Sequence, residues 1–458
     1  MIPARALKDL SQIVGPRNLI TRHKDLARYA SDGTKLVFMP DAVAFPGSSE
    51  EISMLFLLAN RASFPVIPRG GGSGMSGGSL PIEGGLVLAM DRLNHILLID
   101  RDNFTAKVEP GVITKCLQDE VEKVGLFYPP DPASSDVSTI GGNVAECAGG
   151  LRGLKYGVTR DYIMGLTVVL PTGEIIRTGG ETIKGVAGYD LTRLIVGSEG
   201  TLAVITSITL RLIPKPAAKR TMVAFFPAIS SAIQTVSDII REKIVPVTLE
   251  FMDRLCLDCV RDALGIDIPR ETDAMLLIEV DGDKIVVEHE AERIRKICRR
   301  SRAIEFRIAT GRKEAERLWE ARRGVSPSLI KLRPGKVSED VVVPRSRMRE
   351  LLSFLGDLRE RYTLPIAAFG HAGDGNIHVN IMMDKDDPDE VTKGDKIVRE
   401  LFKRVIDLRG TITGEHGVGV TKAPYMDMEF SRPALDLMLR LKKAFDPNGI
   451  LNPGKIFL

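Results

Sequence analysis

Apolar and polar residues alternate strictly from Asn376 to Ile381. On an extended chain Ile377, Val379 and Ile381 point into a core, while Asn376, His378 and Asn380 share the other face. Just before this run, Asp374-Gly375 is a strong signal for a two-residue hairpin loop, because both residues tolerate positive φ. With that loop His371 and His378 stand directly opposite, their β-carbons roughly 4.5–5.5 Å apart. Val66-Ile67 and Leu86-Val87-Leu88 read as short buried strands. Gly197 to Thr206 forms a turn leading into a strand with β-branched alternation through Leu212. From about Pro216 strands mix with amphipathic helices, and Leu318 to Ser326 has the helical period that sets Arg322 and Ser326 one turn apart on one face.

Between the first strands lies Pro68 to Ser79, where Gly72, Gly74 and Gly77 satisfy G-x-G-x-x-G. A Rossmann turn must open directly into a helix, and Gly78, Pro81, Gly84 and Gly85 forbid one here. The remaining reading is a loop whose successive backbone N–H groups wrap an anion, which suits a flavin dinucleotide better than NAD. A second tract, Pro129 to Tyr162, is rich in glycine and other small residues, as expected of a segment lining a flat ligand at close backbone approach.

The chain has 458 residues, enough for about two to four domains, and a net charge of +3 gives no reason to expect nucleic acid. The start of the chain lacks an unbroken apolar stretch, and no apolar run is long enough to span a bilayer. Five cysteines without even spacing suggest reduced thiols in the cytoplasm, with any membrane association peripheral and through a partner. Cys256 and Cys259 form a C-x-x-C without a second pair, and read better as small buried residues of a helix than as metal ligands. Of six histidines, two fall on the hairpin and a third, His416, follows Glu415. His371, His378 and Glu415 make a two-histidine, one-carboxylate set of the kind that holds zinc, manganese or iron, leaving His416 as a base.

Pro-Arg-Gly-Gly-Gly-Ser-Gly, Pro-Pro-Asp-Pro, Thr-Ile-Gly-Gly-Asn, Gly-Ser-Glu-Gly-Thr-Leu, His-Ala-Gly-Asp-Gly-Asn-Ile-His, Gly-Glu-His-Gly and the terminal run from Asp446 to Lys455 occur in that order over nearly the whole chain. In this the sequence resembles the FAD-linked oxidase and dehydrogenase family with the vanillyl-alcohol-oxidase (PCMH) type FAD-binding fold. It is most similar to the branch of D-lactate dehydrogenase, D-2-hydroxyglutarate dehydrogenase and the glycolate oxidase large subunit. The resemblance implies an α+β fold: an FAD-binding domain over 1–215, a cap domain with a central antiparallel sheet over 216–410, and a segment 411–458 that returns to the FAD domain.

It also implies site residues. The pyrophosphate loop falls on Arg69, Gly70, Gly71, Gly72, Ser73, Gly74, Met75 and Ser76. Gly72 stands where some members carry a histidine bonded to FAD, so the FAD is expected to be non-covalent. Further flavin contacts fall on Pro130, Asp131, Ser134, Thr139, Gly142, Asn143, Gly149, Gly150, Gly153, Tyr156, Glu199, Ile205 and Asn452. Arg322, three residues after Trp319, matches the substrate-carboxylate arginine; Ser326, Asn380 and Lys336 complete that end. The implied reaction oxidises a D-2-hydroxy acid, D-lactate or glycolate above others. A divalent metal holds the substrate, His416 takes the hydroxyl proton and hydride passes to flavin N5. Electrons then go to an external acceptor: an iron–sulfur subunit, an electron-transfer flavoprotein or a quinone. A homodimer is allowed. The competing readings are a direct oxidase forming hydrogen peroxide and, from a different class, a metal-dependent hydrolase.

Overall fold

The computed structural model describes residues 1–264 and 267–457, which divide into two compact units. Unit 1 comprises 1–149, 158–215 and 415–458; unit 2 comprises 150–157 and 216–414.

Unit 1 contains two larger sheets and a two-stranded ribbon. The first sheet uses β1 (Leu19–Ile20), β2 (Ala42–Ala44), β3 (Val66–Arg69) and β4 (Leu86–Ala89), in the order β1-β2-β4-β3, with β2 and β3 both parallel to β4. β3 and β4 are the short apolar runs seen in the sequence, and both are almost wholly buried. The segment between them, 70–85, contains no helix. Helices Ala4–Val14 and Ser49–Ala62 bury Leu10 and Phe56 with Val66, Leu88 and Leu451 in one core. The second sheet joins β5 (Ile96–Asp100), β6 (Thr105–Val108), β8 (Ile163–Val169), β9 (Ile175–Gly179) and β10 (Val204–Arg211), in the order β5-β6-β10-β8-β9 and antiparallel throughout. The ribbon pairs β7 (Leu126–Phe127) with β11 (Ile213–Pro214).

The C-terminal run returns to β3. Val66 donates to Ile450 O at 2.8 Å and Asn452 donates to Val66 O at 2.8 Å, which fixes Asn452 beside the loop that leaves β3. This turn is built around buried Asp446, whose carboxylate accepts from Ile450 N at 3.1 Å, Leu451 N at 2.9 Å and the Lys442 ammonium at 2.5 Å.

Unit 2 is organised on one antiparallel sheet of seven strands. These are β12 (Ala218–Phe226), β13 (Thr248–Asp253), β14 (Ala274–Gly282), β15 (Glu305–Ile308), β16 (Gly335–Val342), β17 (Ile366–His371) and β18 (Asn376–Met383), in the order β15-β12-β14-β13-β17-β18-β16. One face carries Val223, Phe225, Met252, Met275, Leu277, Ala367, Phe369 and Met382. Helices Arg254–Leu264 and Arg312–Arg323 cover that face with Leu257, Val260, Leu318 and Trp319, and Cys256 and Cys259 are buried there as free thiols. Among the described residues no helix is long and apolar enough to cross a membrane.

The hairpin loop is longer than the two residues expected. Four residues, Ala372 to Gly375, separate β17 from β18, so His371 pairs with Asn376 and His378 with Phe369. The reason lies in the turn: Asp374 N and Gly375 N both donate to His371 O, at 3.2 and 3.1 Å, closing it in a helical manner. The register moves by two residues, and because strand side chains repeat every two, both histidines keep the face that alternation gave them.

Asp446→Ala leaves the N–H groups of Ile450 and Leu451 without their acceptor and the Lys442 ammonium with only the Thr201 and Leu451 carbonyls. It is expected to destabilise the protein by about 2–5 kcal/mol, seen as a lower urea midpoint for unfolding.

Candidate functional site

In unit 1 the glycine-rich loop closes on its own arginine. Arg69 is buried, donates from Nη2 to Ser31 O at 2.7 Å and from Nη1 to Ser79 Oγ at 3.3 Å, and lies over the Tyr29 ring. The loop runs too close to its neighbours for side chains: a Cβ on Gly70 would meet Thr139 Oγ1 at 2.3 Å, and one on Gly71 would meet Val137 O at 2.2 Å. Gly72 has φ +64°. Thr139 caps helix Ile140–Glu146 by accepting from Gly142 N, and Asn143 Nδ2 donates to Thr114 Oγ1 at 2.7 Å. Pro130 O accepts from Gln118, Ser134 O accepts from Val137 N and Ser138 N, and Ile205 is buried on β10. Asn452 Nδ2 donates to both Gly78 O and Glu199 O at 2.9 Å, tying two expected flavin contacts, Asn452 and Glu199, to the end of the glycine-rich tract.

Two buried carboxyls stand beside this loop. Glu199 accepts from Val418 N at 2.7 Å and Gly419 N at 2.6 Å. A Cβ on Gly417 would meet Glu146 Oε2 at 2.2 Å and Glu199 Oε1 at 3.1 Å. Burial pushes the Glu146 carboxyl well above the usual carboxylate range, and the neighbouring Glu199 adds to the shift. Glu146 thus holds a proton at a pH where an exposed carboxyl would not. Glu415 also belongs to this unit, its Oε2 lying 2.8 Å from where a Gly149 Cβ would stand, and half-buried His416 follows it. Ser76 Oγ, Glu146 Oε2 and Asn452 Oδ1 are buried with no hydrogen-bond partner among the described residues. A side-chain-free cradle edged by such atoms fits a dinucleotide with both phosphates and polar ring atoms.

Gly150, Gly153 and Tyr156 group with unit 2 instead, where Tyr156 Oη donates to Asp281 Oδ2 at 2.9 Å and Lys155 pairs with the same carboxylate.

In unit 2 a polar row crosses the covered face of the sheet. Glu250 on β13 pairs with His371 on β17, which pairs with Asn376 on β18. In the next row His378 lies between Phe369 and Asp340, and beyond it Asn380 lies between Ala367 and Ser338. The two imidazoles meet edge to face with centroids 5.2 Å apart. His371 Nδ1 lies 2.5 Å from Glu250 Oε1. From helix Arg312–Arg323, Arg322 reaches the same carboxylate with Nε at 2.6 Å and with Nη2, its guanidinium 4.6 Å from the Phe369 ring centroid. Burial raises the Glu250 carboxyl, but the Arg322 and His371 charges and hydrogen bonds outweigh it and hold it at about 2. On β16, Asp340 accepts from Asn376 Nδ2 at 2.5 Å and from Gly414 N at 2.8 Å, and lies 3.7 Å from His378 Nδ1. Lys336 Nζ donates to Ser326 Oγ at 2.5 Å, so these two expected substrate contacts meet. Paired imidazoles with carboxylates behind them suit a divalent cation of borderline softness.

Glu146, Glu250 and Asp340 were not singled out by the sequence reading. Glu146 ends a short glycine-bearing helix, Glu250 lies in a strand buried at all six positions, and Asp340 is a buried carboxylate of the edge strand β16.

A glycine-lined dinucleotide cradle in unit 1 and a buried polar row in unit 2 accord with an FAD-linked oxidoreductase. The chain belongs to the FAD-linked oxidases: residues 40–179 match the model described as "FAD binding domain" and residues 215–456 the model "FAD linked oxidases, C-terminal domain". It is 47% identical to the glycolate oxidase subunit GlcD of Bacillus subtilis (strain 168), over 100% of this chain and 97% of the relative. It is 37% identical to a D-lactate dehydrogenase of Archaeoglobus fulgidus, over 93% and 95% of the two chains. The solved structure of p-cresol methylhydroxylase with substrate bound superposes with TM-score 0.79 at 17% identity, covering 99% of this chain and 96% of that one. The fold is therefore of the PCMH type.

Gly71→Ala places a methyl group against Val137 O. The variant is expected to purify with less than a tenth of the FAD of the parent protein, read from the visible absorbance per chain.

Proposed function

We propose that the chain oxidises a short 2-hydroxy acid, glycolate or D-lactate, to the 2-oxo acid. The observation that carries this is the polar row of unit 2, where an arginine suited to a carboxylate and two imidazoles suited to a metal share one buried face. Similarity to proteins named as a glycolate oxidase subunit and a D-lactate dehydrogenase supports the same substrate class.

FAD, when bound, supplies the acceptor for two electrons, and a divalent ion of zinc, manganese or iron on His371, His378 and Glu415 supplies a Lewis acid. Arg69 to Ser76, with Pro130, Asp131, Ser134, Thr139, Gly142, Asn143, Gly149, Gly150, Gly153, Tyr156, Glu199, Ile205 and Asn452, hold the FAD. Arg322, Ser326, Lys336 and Asn380 bind and orient the substrate carboxylate. His416 accepts the hydroxyl proton on a ring nitrogen as the α-hydrogen departs with its electron pair and the C–O bond becomes C=O. The relative's designation as a subunit supports delivery of electrons to a partner, such as an iron–sulfur subunit, an electron-transfer flavoprotein or a quinone-linked protein. Stoichiometric oxygen uptake on adding substrate would instead make this a direct oxidase.

His416→Ala is expected to slow anaerobic flavin reduction by glycolate or D-lactate about 10²–10⁴-fold while FAD content is unchanged. Near-normal reduction in this variant removes His416 as the base. Dialysis against a chelator is expected to abolish reduction, and added zinc or manganese to restore it.

A further inference from the structure

Glu250 has no part in the scheme above, yet it contacts two of its residues. It is 0% exposed and lies one strand in from the hairpin, its cross-strand position opposite His371. One oxygen meets the imidazole Nδ1 at 2.5 Å; the other meets Arg322 Nε at 2.6 Å and Nη2. A carboxylate that takes the guanidinium fork on one oxygen is acceptor-only, so the His371 Nδ1 beside its other oxygen has to carry the hydrogen. When a metal rather than a proton occupies Nε2, the imidazole is neutral and keeps its Nδ1–H on Glu250. Carboxylate–histidine pairs of this form fix ring orientation and raise ligand basicity at metal centres. The Arg322 guanidinium also packs 4.6 Å from the Phe369 ring centroid.

We infer that Glu250 is a positioning residue that fixes His371 as an Nε2 metal ligand and holds Arg322 in place for the substrate carboxylate. This rests on the proposal that His371 binds a metal. It explains why a carboxylate is buried in the middle of a sheet: one acceptor serves both the metal arm and the substrate arm. Sharing also ties the two arms together, since displacing Arg322 leaves Glu250 with His371 alone.

The test measures zinc and manganese(II) affinity of metal-stripped, FAD-loaded protein by competition with a chromogenic chelator. E250Q replaces the shared acceptor with an amide that can accept on one side only. It is expected to bind each ion ten- to a hundred-fold more weakly, with the FAD absorbance per chain unchanged and substrate KM raised. Because E250Q leaves a buried guanidinium uncompensated and can fail to fold, E250L/R322L removes both charges and is read alongside R322L. The double variant is expected to show the same loss of metal affinity, whereas R322L, which keeps the Glu250–His371 bond, stays within about threefold of the parent. Parental affinity in E250L/R322L, or in a folded E250Q, overturns the inference. A parent protein that binds neither ion overturns the metal proposal itself, and this inference with it.

Discussion

A buried carboxylate at the centre of an antiparallel sheet is the constraint on which unit 2 depends. Desolvation opposes the charge on Glu250, and only the guanidinium of Arg322 and the imidazole of His371 together make it tolerable. Losing one partner of such a group costs about 3–5 kcal/mol, a large share of the stability of a typical domain. The strands therefore cannot slip without also breaking this triad. Pairing of Glu250 with His371, and of His371 with Asn376, fixes where every other polar side chain on the face falls.

The two units solve different physical problems. Unit 1 packs a glycine-rich loop so closely that a Cβ would strike Thr139 or Val137, and keeps buried polar atoms beside it that have no partner among the described residues. Unit 2 collects charged and hydrogen-bonding side chains on a buried sheet face, where electrostatic interactions are stronger than in water. Asp340 extends the same logic to the edge of the sheet, drawing Asn376 and the Gly414 N–H toward His378.

Much of this was legible in the sequence, for identifiable reasons. The loop after β3 was readable because its glycines and Pro81 exclude a helix whatever surrounds them. The face shared by His371 and His378 was readable because strand parity survives a two-residue error in register; the loop length was not, since the turn closes through backbone bonds to His371 O that no residue type announces. The resemblance named Ser326 and Lys336 as separate substrate contacts, and the hydrogen bond between them was not foreseen. Glu250 was missed because β13 is buried at all six positions, which erases the alternation that marks a functional face, and because its partner lies 121 residues away. Glu146 was hidden for the opposite reason: its environment is made by Gly78 and Gly417, from distant parts of the chain.

The most direct measurement is the visible spectrum of the FAD-loaded protein under anaerobic conditions, recorded as glycolate, D-lactate, D-2-hydroxyglutarate and L-lactate are added separately. The account predicts that glycolate or D-lactate bleaches the oxidised flavin band and that L-lactate leaves it unchanged. A flavin that stays oxidised with glycolate and both lactates would contradict it.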